Sequence, residues 1–188
     1  MYRKSISDTT RRRMLASSDI YVLVGLSCVD SESWTYRSLA EYLRVPVSLV
    51  QRSLRRAAES GLYLPASRTV HRPNLGEFLV HAGRFVAPAR LGAVVPGVPA
   101  AWAAPPLSNL IVESGDELPP VWPSASGRVR GQALEPLHTA APAAASLHAE
   151  LAELLAVVDS LRAGDLRVRT VAGQVVADML RANKERAL

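Results

Sequence analysis

One stretch of 28 residues constrains the fold of this chain more than any other part of it. Residues 36–63, YRSLAEYLRVPVSLVQRSLRRAAESGLY, contain two amphipathic segments separated by the sequence RVPV. Proline disfavours helix for the residue before it and suits the first turn of a new helix, so Pro46 predicts a helix end followed at once by a helix start. Gly61 is well suited to the position just beyond a helix C-terminus. The stretch therefore predicts two short helices joined by a tight turn.

The second of these helices, from about Ser48 to Ser60, has two chemically different sides. At about 100° per residue, apolar or small side chains fall on one side and polar side chains on the other. The first side holds Leu49, Val50, Ser53, Leu54 and Ala57; the second holds Ser48, Gln51, Arg52, Arg55 and Glu59, with Arg56 at the border. The polar side is either an ordinary solvated helix face or a surface that binds a polyanion.

The polar side carries residue types that recognise nucleic acid. Arginine can make two hydrogen bonds to guanine, glutamine can make two to adenine, and the major groove of B-DNA admits one α-helix. We therefore expect Gln51, Arg52 and Arg55 to contact bases. Ser48, near the helix N-terminus, and Arg56 are expected to contact phosphates.

The helix before it gives this interpretation its specificity. Thr35 is a suitable N-cap, and apolar residues follow at helical spacing up to Leu43. Their spacing relative to Val50 and Leu54 suits two crossing helices that share a small core, which is the helix-turn-helix arrangement. The small Ala40 permits a close approach at the crossing.

A short β-hairpin is predicted directly after Gly61. The sequence LYLPASRTVHRPN reads as a strand, a turn near Pro65–Ser67 and a return strand. Arg68 and Arg72, on or near the tip, are placed to hold phosphates that flank a bound helix. His71, also on or near the tip, is interpreted as a surface histidine rather than a phosphate contact.

The segment WTYRSLAEYLRVPVSLVQRSLRRAAESGLY resembles the winged helix-turn-helix of bacterial transcription regulators, in particular those called MarR-like. The resemblance covers roughly residues 18–72. The resemblance is based on LAEYL in the second helix, VSLVQRSLRRA in the recognition helix and ESGLY at the start of the wing. In place of the usual glycine of the turn and the usual cap, this chain has Arg44 and Pro46. The resemblance implies a repressor-like regulator that binds double-stranded DNA.

Charge is distributed unevenly along the chain. Residues 1–72 carry 12 Lys and Arg against 6 Asp and Glu, a net charge of +6, whereas the whole chain carries +5. The excess positive charge therefore lies in the first part, where an electrostatic footprint for nucleic acid is expected. Arg11, Arg12 and Arg13 stand in a row within a basic arm, residues 1–17, which is either a solubilising tail or a DNA-contacting arm.

The remainder of the chain divides into two segments. Residues 87–145 are rich in proline and alanine and are expected to be ordered loop or extended packing, with GRVRGQALEPLH as an extended piece. Residues 146–188 contain a stripe of Leu and Val side chains that ends at Gly164, and then a second helical pattern. They predict a helical hairpin, used either for packing against the chain's own core or for homodimerisation.

Several classes of protein find no support in the sequence. The single cysteine, Cys28, excludes an internal disulfide and a cysteine-based zinc site. The start lacks the apolar region of a signal peptide, and prolines interrupt the most apolar later stretch, so a cytoplasmic protein without a membrane span is expected. Catalytic residues, a metal site and a cofactor are not predicted.

The predicted architecture is mainly α with a small β-wing: a winged helix-turn-helix plus a C-terminal extension that ends in a helical hairpin. Its segments are the arm 1–17, the DNA-binding domain with the helix after it at 18–86, the extended segment 87–145 and the hairpin 146–188. An alternative is an antitoxin-like or phage-defence-associated protein that binds a protein partner through residues 87–188. A repressor that senses a small molecule is a third possibility.

Overall fold

The computed structural model describes residues 14–30, 33–111 and 118–185, with the side chains of 183–185 left aside. The fold is mainly helical with a small β component, as predicted. The helices are α1 (Ser17–Ser27), α2 (Tyr36–Leu43), α3 (Val47–Glu59), α4 (Arg72–His81), α5 (Gly83–Val86), α6 (Ala141–Ala145), α7 (Ala149–Ala163) and α8 (Leu166–Glu185). The strands are β1 (Tyr63–Leu64), β2 (Thr69–Val70), β3 (Leu91–Pro99), β4 (Pro120–Pro123) and β5 (Val129–Leu134).

Helix α1 is the buried centre of the N-terminal half. Its residues from Asp19 to Ser27 are all buried, as its nearly unbroken apolar sequence requires. The hydroxyl of Tyr21 donates a hydrogen bond of 2.9 Å to the carbonyl oxygen of Leu43, at the end of α2. This contact satisfies a buried phenol and ties α1 to the helix pair that packs on it.

The turn between α2 and α3 uses a left-handed residue. Arg44 has φ 56° and ψ 43°, and its N–H bonds back to the last turn of α2. Thr35 caps the start of α2 by accepting from the N–H of Ser38 at 3.0 Å. Pro46 then occupies the N-cap of α3. Arg44 thus adopts the conformation that glycine usually supplies at this position.

The hairpin β1–β2 is held against the segment that precedes α2. Tyr63 pairs with Val70 and Leu64 with Thr69. The indole N–H of Trp34 donates to the carbonyl oxygen of Arg68 at 3.1 Å, and the Arg68 guanidinium lies 4.6 Å from the Trp34 ring centroid. Because the indole N–H binds the backbone of the turn, the hairpin has a defined position although each of its strands is only two residues long.

The expectation that residues 87–145 outside GRVRGQALEPLH form ordered loop or extended packing is wrong where regular strands form. Strands β3, β4 and β5 each pair with the other two: β3 is antiparallel to both, and β4 is parallel to β5. Only β5 falls where extended structure was predicted. Glycine permits the close approach of the strands, since a Cβ at Gly97 would lie 2.4 Å from the Trp122 carbonyl oxygen and one at Gly131 2.1 Å from that of Pro119.

The C-terminal helical hairpin forms as predicted, with α7 and α8 joined at Gly164 and Asp165. The Asp165 carboxylate accepts the Val168 N–H at 2.8 Å and so caps α8. Helix α7 is buried nearly all round from Leu154 to Arg162, whereas α8 packs on α4 and α7 with one side. Packing against the chain's own core is therefore the observed role of α7.

A buried ionic cluster joins α7 to the strands. The Asp159 carboxylate accepts from the Trp122 indole N–H at 2.8 Å and from the Arg162 guanidinium at 2.5 Å. Arg162 also donates to the Ala87 carbonyl oxygen at 2.8 Å. Burial raises the pKa of Asp159, and the charge of Arg162 and the two donors oppose that shift. The cluster therefore links α7, β4 and the chain after α5 through directional contacts.

Replacing Arg44 by glycine is expected to give a protein about 1 kcal/mol more stable than replacing it by alanine, because glycine enters the left-handed region without the steric cost that a Cβ brings. Arg44→Gly and Arg44→Ala remove the same guanidinium, so their difference isolates the backbone conformation. Urea unfolding followed by circular dichroism measures both. Equal stability of the two variants would contradict a left-handed Arg44.

Candidate nucleic-acid interface

The outer side of α3 is the candidate interface. Gln51, Arg52 and Arg55 are exposed, and so is Ser48 in the first turn. The opposite side packs chiefly against α1 and α2, and its buried members are Val50, Ser53, Leu54 and Ala57. The predicted division of the helix into a core side and a polar side is confirmed, and the four exposed residues form one continuous polar surface.

The N-terminal end of α3 has the features of an anion-binding helix start. Pro46 provides no side-chain cap, so side chains do not occupy the N–H groups of the first turn. Ser48 is exposed beside them, as is part of Val47. Because N–H groups and the helix dipole both favour negative charge, this end suits a phosphate.

Arg56 does not belong to this surface, which corrects the prediction of a phosphate contact. Its guanidinium donates to both carboxylate oxygens of Asp19, at 2.7 and 2.5 Å, and its side chain is only 16% exposed. Asp19 itself is fully buried on α1. The hydrogen bonds that Arg56 donates to the Asp19 carboxylate are the main reason that the pKa of Arg56 is raised. Arg56, at the border of the predicted helical wheel, is thus the ionic link between α3 and α1.

The hairpin contributes one exposed cation. Arg68 lies in the turn between β1 and β2 with φ 55°, and its guanidinium donates to the carbonyl oxygen of Trp34 at 3.0 Å while it stacks on the indole. The Arg68 guanidinium also interacts with the Tyr63 side chain, and the residue as a whole is exposed. Arg68 is therefore placed as the hairpin's phosphate-binding candidate.

The positions of His71 and Arg72 differ from the prediction. His71 is the N-cap of α4 and accepts the Asn74 N–H on its Nδ1, and Arg72 is the first residue of that helix. The Arg72 guanidinium is half-buried and donates to the Ser27 carbonyl oxygen at 3.3 Å. Burial lowers the pKa of Arg72, while the nearby Glu150 carboxylate opposes this shift. Neither residue lies at the hairpin tip, and Arg72 is not retained as a phosphate contact.

A cleft that sequence reasoning missed lies behind the hairpin. It encloses about 890 Å³ between β1–β2, the end of α1, α4 and the C-terminal half of α8. Its lining includes Arg68, Arg72 and Arg181 together with apolar side chains. No local pattern could have predicted it, because its walls come from residues more than 100 positions apart.

Other predicted features lie away from the interface or outside the described residues. Arg11, Arg12 and Arg13 belong to the part of the chain that the structure does not describe. Among residues 14–30, 33–111 and 118–185 no group of three His, Cys, Asp or Glu is arranged to hold a metal ion. The Cys28 thiol donates to the Val24 carbonyl oxygen, and burial raises its pKa, so it behaves as a core residue.

No protein-family model, curated protein or solved structure matches this chain. Within the ranges that the structure covers, none of the helices has the length and apolar character needed to span a bilayer. Support for a function therefore comes from the charge and geometry of the chain itself.

Replacing Arg56 by methionine is expected to lower the free energy of unfolding by about 3–5 kcal/mol, because it leaves the buried Asp19 carboxylate without its cation. Arg52→Met makes the same change of side chain and charge one turn earlier on α3, on the exposed side, and should leave stability nearly unchanged. Urea unfolding measures both. A similar small effect of the two substitutions would contradict the structural role of Arg56.

Proposed function

We propose that this protein is a sequence-specific DNA-binding transcriptional regulator, repressor-like, built on a winged helix-turn-helix. In this proposal α2 braces α3, α3 is the recognition helix, and the β1–β2 hairpin is the wing. Two helices joined across a three-residue turn, with a hairpin directly after the second, are the arrangement that such domains use to place one helix in the major groove.

The observation that carries the proposal is the exposure of the cationic side of α3 in the folded chain. Arg52 and Arg55 lie on that side without burial, although the C-terminal half contributes more than 100 residues that could have covered it. Two like charges one turn apart on a helix repel each other, and a polyanion relieves this repulsion. Arg56, which could have shared the same role, is engaged by Asp19 instead.

Each residue of the surface has a specific part in the proposal. Gln51, Arg52 and Arg55 read base edges, because their amide and guanidinium groups match the donor and acceptor pattern of purines in the major groove. Ser48 and Arg68 hold phosphates on either side of the groove and so set the register. The net charge of +6 on residues 1–72 supplies the attraction that is independent of sequence.

Selection from random duplex DNA provides the first test and supplies a site for the variants. The double variant Arg52→Ala/Arg55→Ala is expected to lose discrimination between the selected site and scrambled DNA, since each lost pair of hydrogen bonds contributes about 1–3 kcal/mol of discrimination. Fluorescence anisotropy with labelled duplexes measures this, and circular dichroism checks folding.

Arg130→Ala/Arg167→Ala is the matched control, because it removes the same charge from exposed positions on β5 and α8. It should keep the preference for the selected site. If the Arg52→Ala/Arg55→Ala variant prefers the selected site as strongly as the wild type does, the proposed role of α3 is overturned.

Arg68→Ala is expected to weaken binding to all sequences alike and to reduce the slope of log K against log salt concentration by about one, because a phosphate contact releases one counterion. Titrations at several salt concentrations, with selected and scrambled duplexes, measure both effects. Loss of preference without a change of slope would instead assign Arg68 to base recognition.

A second candidate function is a protein-interaction module, antitoxin-like or associated with phage defence, in which DNA binding is autoregulatory or absent. Exposed apolar side chains in the proline-rich segment favour it: Val94, Val98, Leu110 and Leu118 are 42–56% exposed. Co-purification with the product of a neighbouring gene would distinguish this function. A homodimer that presents two copies of α3 about 34–36 Å apart remains part of the main proposal.

A further inference from the structure

We propose that the corner at which α7 turns into α8 docks an acidic segment of a partner protein, one that also carries large apolar side chains. We call this region the corner surface. Its members are Arg84, Phe85, Val86, Arg90, Leu166 and Arg167. The inference goes beyond the proposed DNA binding and does not rest on it, because α3 packs chiefly on α1 and α2, whereas the corner surface is built on α5, α7 and α8.

The corner surface exposes apolar side chains that folding has not buried. Phe85 is 70% exposed and Leu166 is 74% exposed, and no other large apolar side chain in the described part of the chain is as exposed as these two. Val86 is 36% exposed beside Phe85. Burial of such side chains against another molecule is favourable, and a group of them flanked by polar residues is typical of an interaction surface.

The packing of α8 on α4 brings Phe85 and Leu166 to the same end of the protein. A Cβ at Gly76 would lie 3.7 Å from the Leu180 side chain, and one at Gly173 would lie 3.7 Å from that of Val80. The two helices therefore run antiparallel. The end of α4, which α5 follows, lies beside the first turns of α8.

The end of α7 leads to the same corner. Helix α5 packs on α7, and Arg162 in the last turn of α7 donates to the Ala87 carbonyl oxygen at 2.8 Å. Ala87 follows Phe85 by two residues, and Leu166 follows Arg162 by four. The apolar side chains of α5 and α8 thus flank one turn of the chain.

The corner surface is cationic. Residues 83–90 and 164–169 contain four arginines and one aspartate, a net charge of +3. That aspartate, Asp165, accepts the Val168 N–H as the cap of α8. Glu135, whose carbonyl oxygen accepts from Arg162, is a further carboxylate near Ala87 and brings the net charge to +2. The complement of this surface is therefore acidic.

The arginines of the corner surface are available to a carboxylate. Within residues 14–30, 33–111 and 118–182, Arg84, Arg90 and Arg167 form no ion pair. A guanidinium can bind a carboxylate through two parallel hydrogen bonds. The Arg84 guanidinium also lies 4.5 Å from the centroid of the Phe85 ring, so the ring loses less freedom when a partner covers it.

Charge and shape favour a protein over the other possible occupants. In a symmetric dimer, a second copy would place this cationic surface against itself. Binding to a membrane surface usually depends on an amphipathic helix with a long apolar face, whereas α5 has four residues. A nucleic acid would pair with the arginines but would leave Val86 and Leu166 without an apolar partner. Aromatic and arginine side chains together are characteristic of the centres of protein interfaces.

Peptide selection tests the inference with the full chain and without DNA. A random peptide library displayed on phage is selected on the wild type and depleted on Phe85→Ser/Leu166→Ser. The enriched peptides are expected to be acidic and to carry large apolar side chains. Neutral or basic peptides, or a failure to enrich any peptide that prefers the wild type, would overturn the inference. The variant should melt within a few degrees of the wild type, and a variant that unfolds would contradict an exposed surface.

A labelled peptide from the selection then locates the contact by fluorescence anisotropy. Phe85→Ala and Leu166→Ser are each expected to weaken its binding about ten-fold or more. Leu147→Ser is the matched control, because Leu147 is 62% exposed and lies before the opposite end of α7. Equal effects of Leu166→Ser and Leu147→Ser would place the peptide elsewhere and refute the docking site.

The contribution of charge is measured separately. Arg84→Gln/Arg167→Gln should weaken the acidic peptide about ten-fold at low salt and remove most of the salt dependence of binding. Arg128→Gln/Arg130→Gln removes the same charge from exposed positions in and before β5 and should change neither. Salt dependence that survives in the Arg84→Gln/Arg167→Gln variant would contradict an acidic partner.

The other occupants are tested with the same Phe85→Ala/Leu166→Ser substitutions. Probes are vesicles of phosphatidylcholine and phosphatidylserine, single-stranded oligothymidylate, and the chain itself in light scattering. Vesicle binding, oligonucleotide binding or dimerisation that the substitutions abolish would assign the corner surface to that occupant and overturn the inference. Peptide binding with the expected variant pattern and no DNA binding would refute only the proposed regulator.

Discussion

The ion pair between Asp19 and Arg56 is the contact on which the exposed polar side of α3 depends. A carboxylate with no exposure to solvent requires a cation, and Arg56 supplies it through two short hydrogen bonds. Together with the buried side chains of Val50, Leu54 and Ala57, this pair holds α3 against α1 with Arg56 facing inward. With Arg56 held inward, the helix presents Gln51, Arg52 and Arg55 to solvent as one surface. The inward position of Arg56 thus both stabilises the packing of α3 on α1 and leaves the candidate recognition surface on the outer side of α3.

The C-terminal half has its own internal anchor and leaves that surface uncovered. Asp159, Arg162 and Trp122 bind one another inside the protein and connect α7 with the strands that the proline-rich segment forms. Helix α7 buries its side chains in the chain's own core, and α8 packs on α4 beside the hairpin. The basic and nearly neutral parts of the chain therefore meet along α1, α2 and α4, away from the exposed side of α3.

The cleft lies beside the contact of α4 with α8. Arg68 belongs both to the candidate DNA surface and to the cleft lining, and its guanidinium stacks on Trp34.

The sequence alone determined the elements whose signals are local. The helices α2, α3, α7 and α8 follow from apolar spacing, caps and a proline break within about 20 residues, and the polar side of α3 follows from the same periodicity. Tertiary structure decided the rest: that Arg56 faces Asp19, that β3, β4 and β5 pair with one another, and that Arg72 and Arg181 line one cleft. Each of these contacts joins residues that are far apart in the chain. Helical and strand periodicity is a local signal, so it cannot show which distant side chain neutralises a buried charge, pairs with a strand edge or lines a cavity.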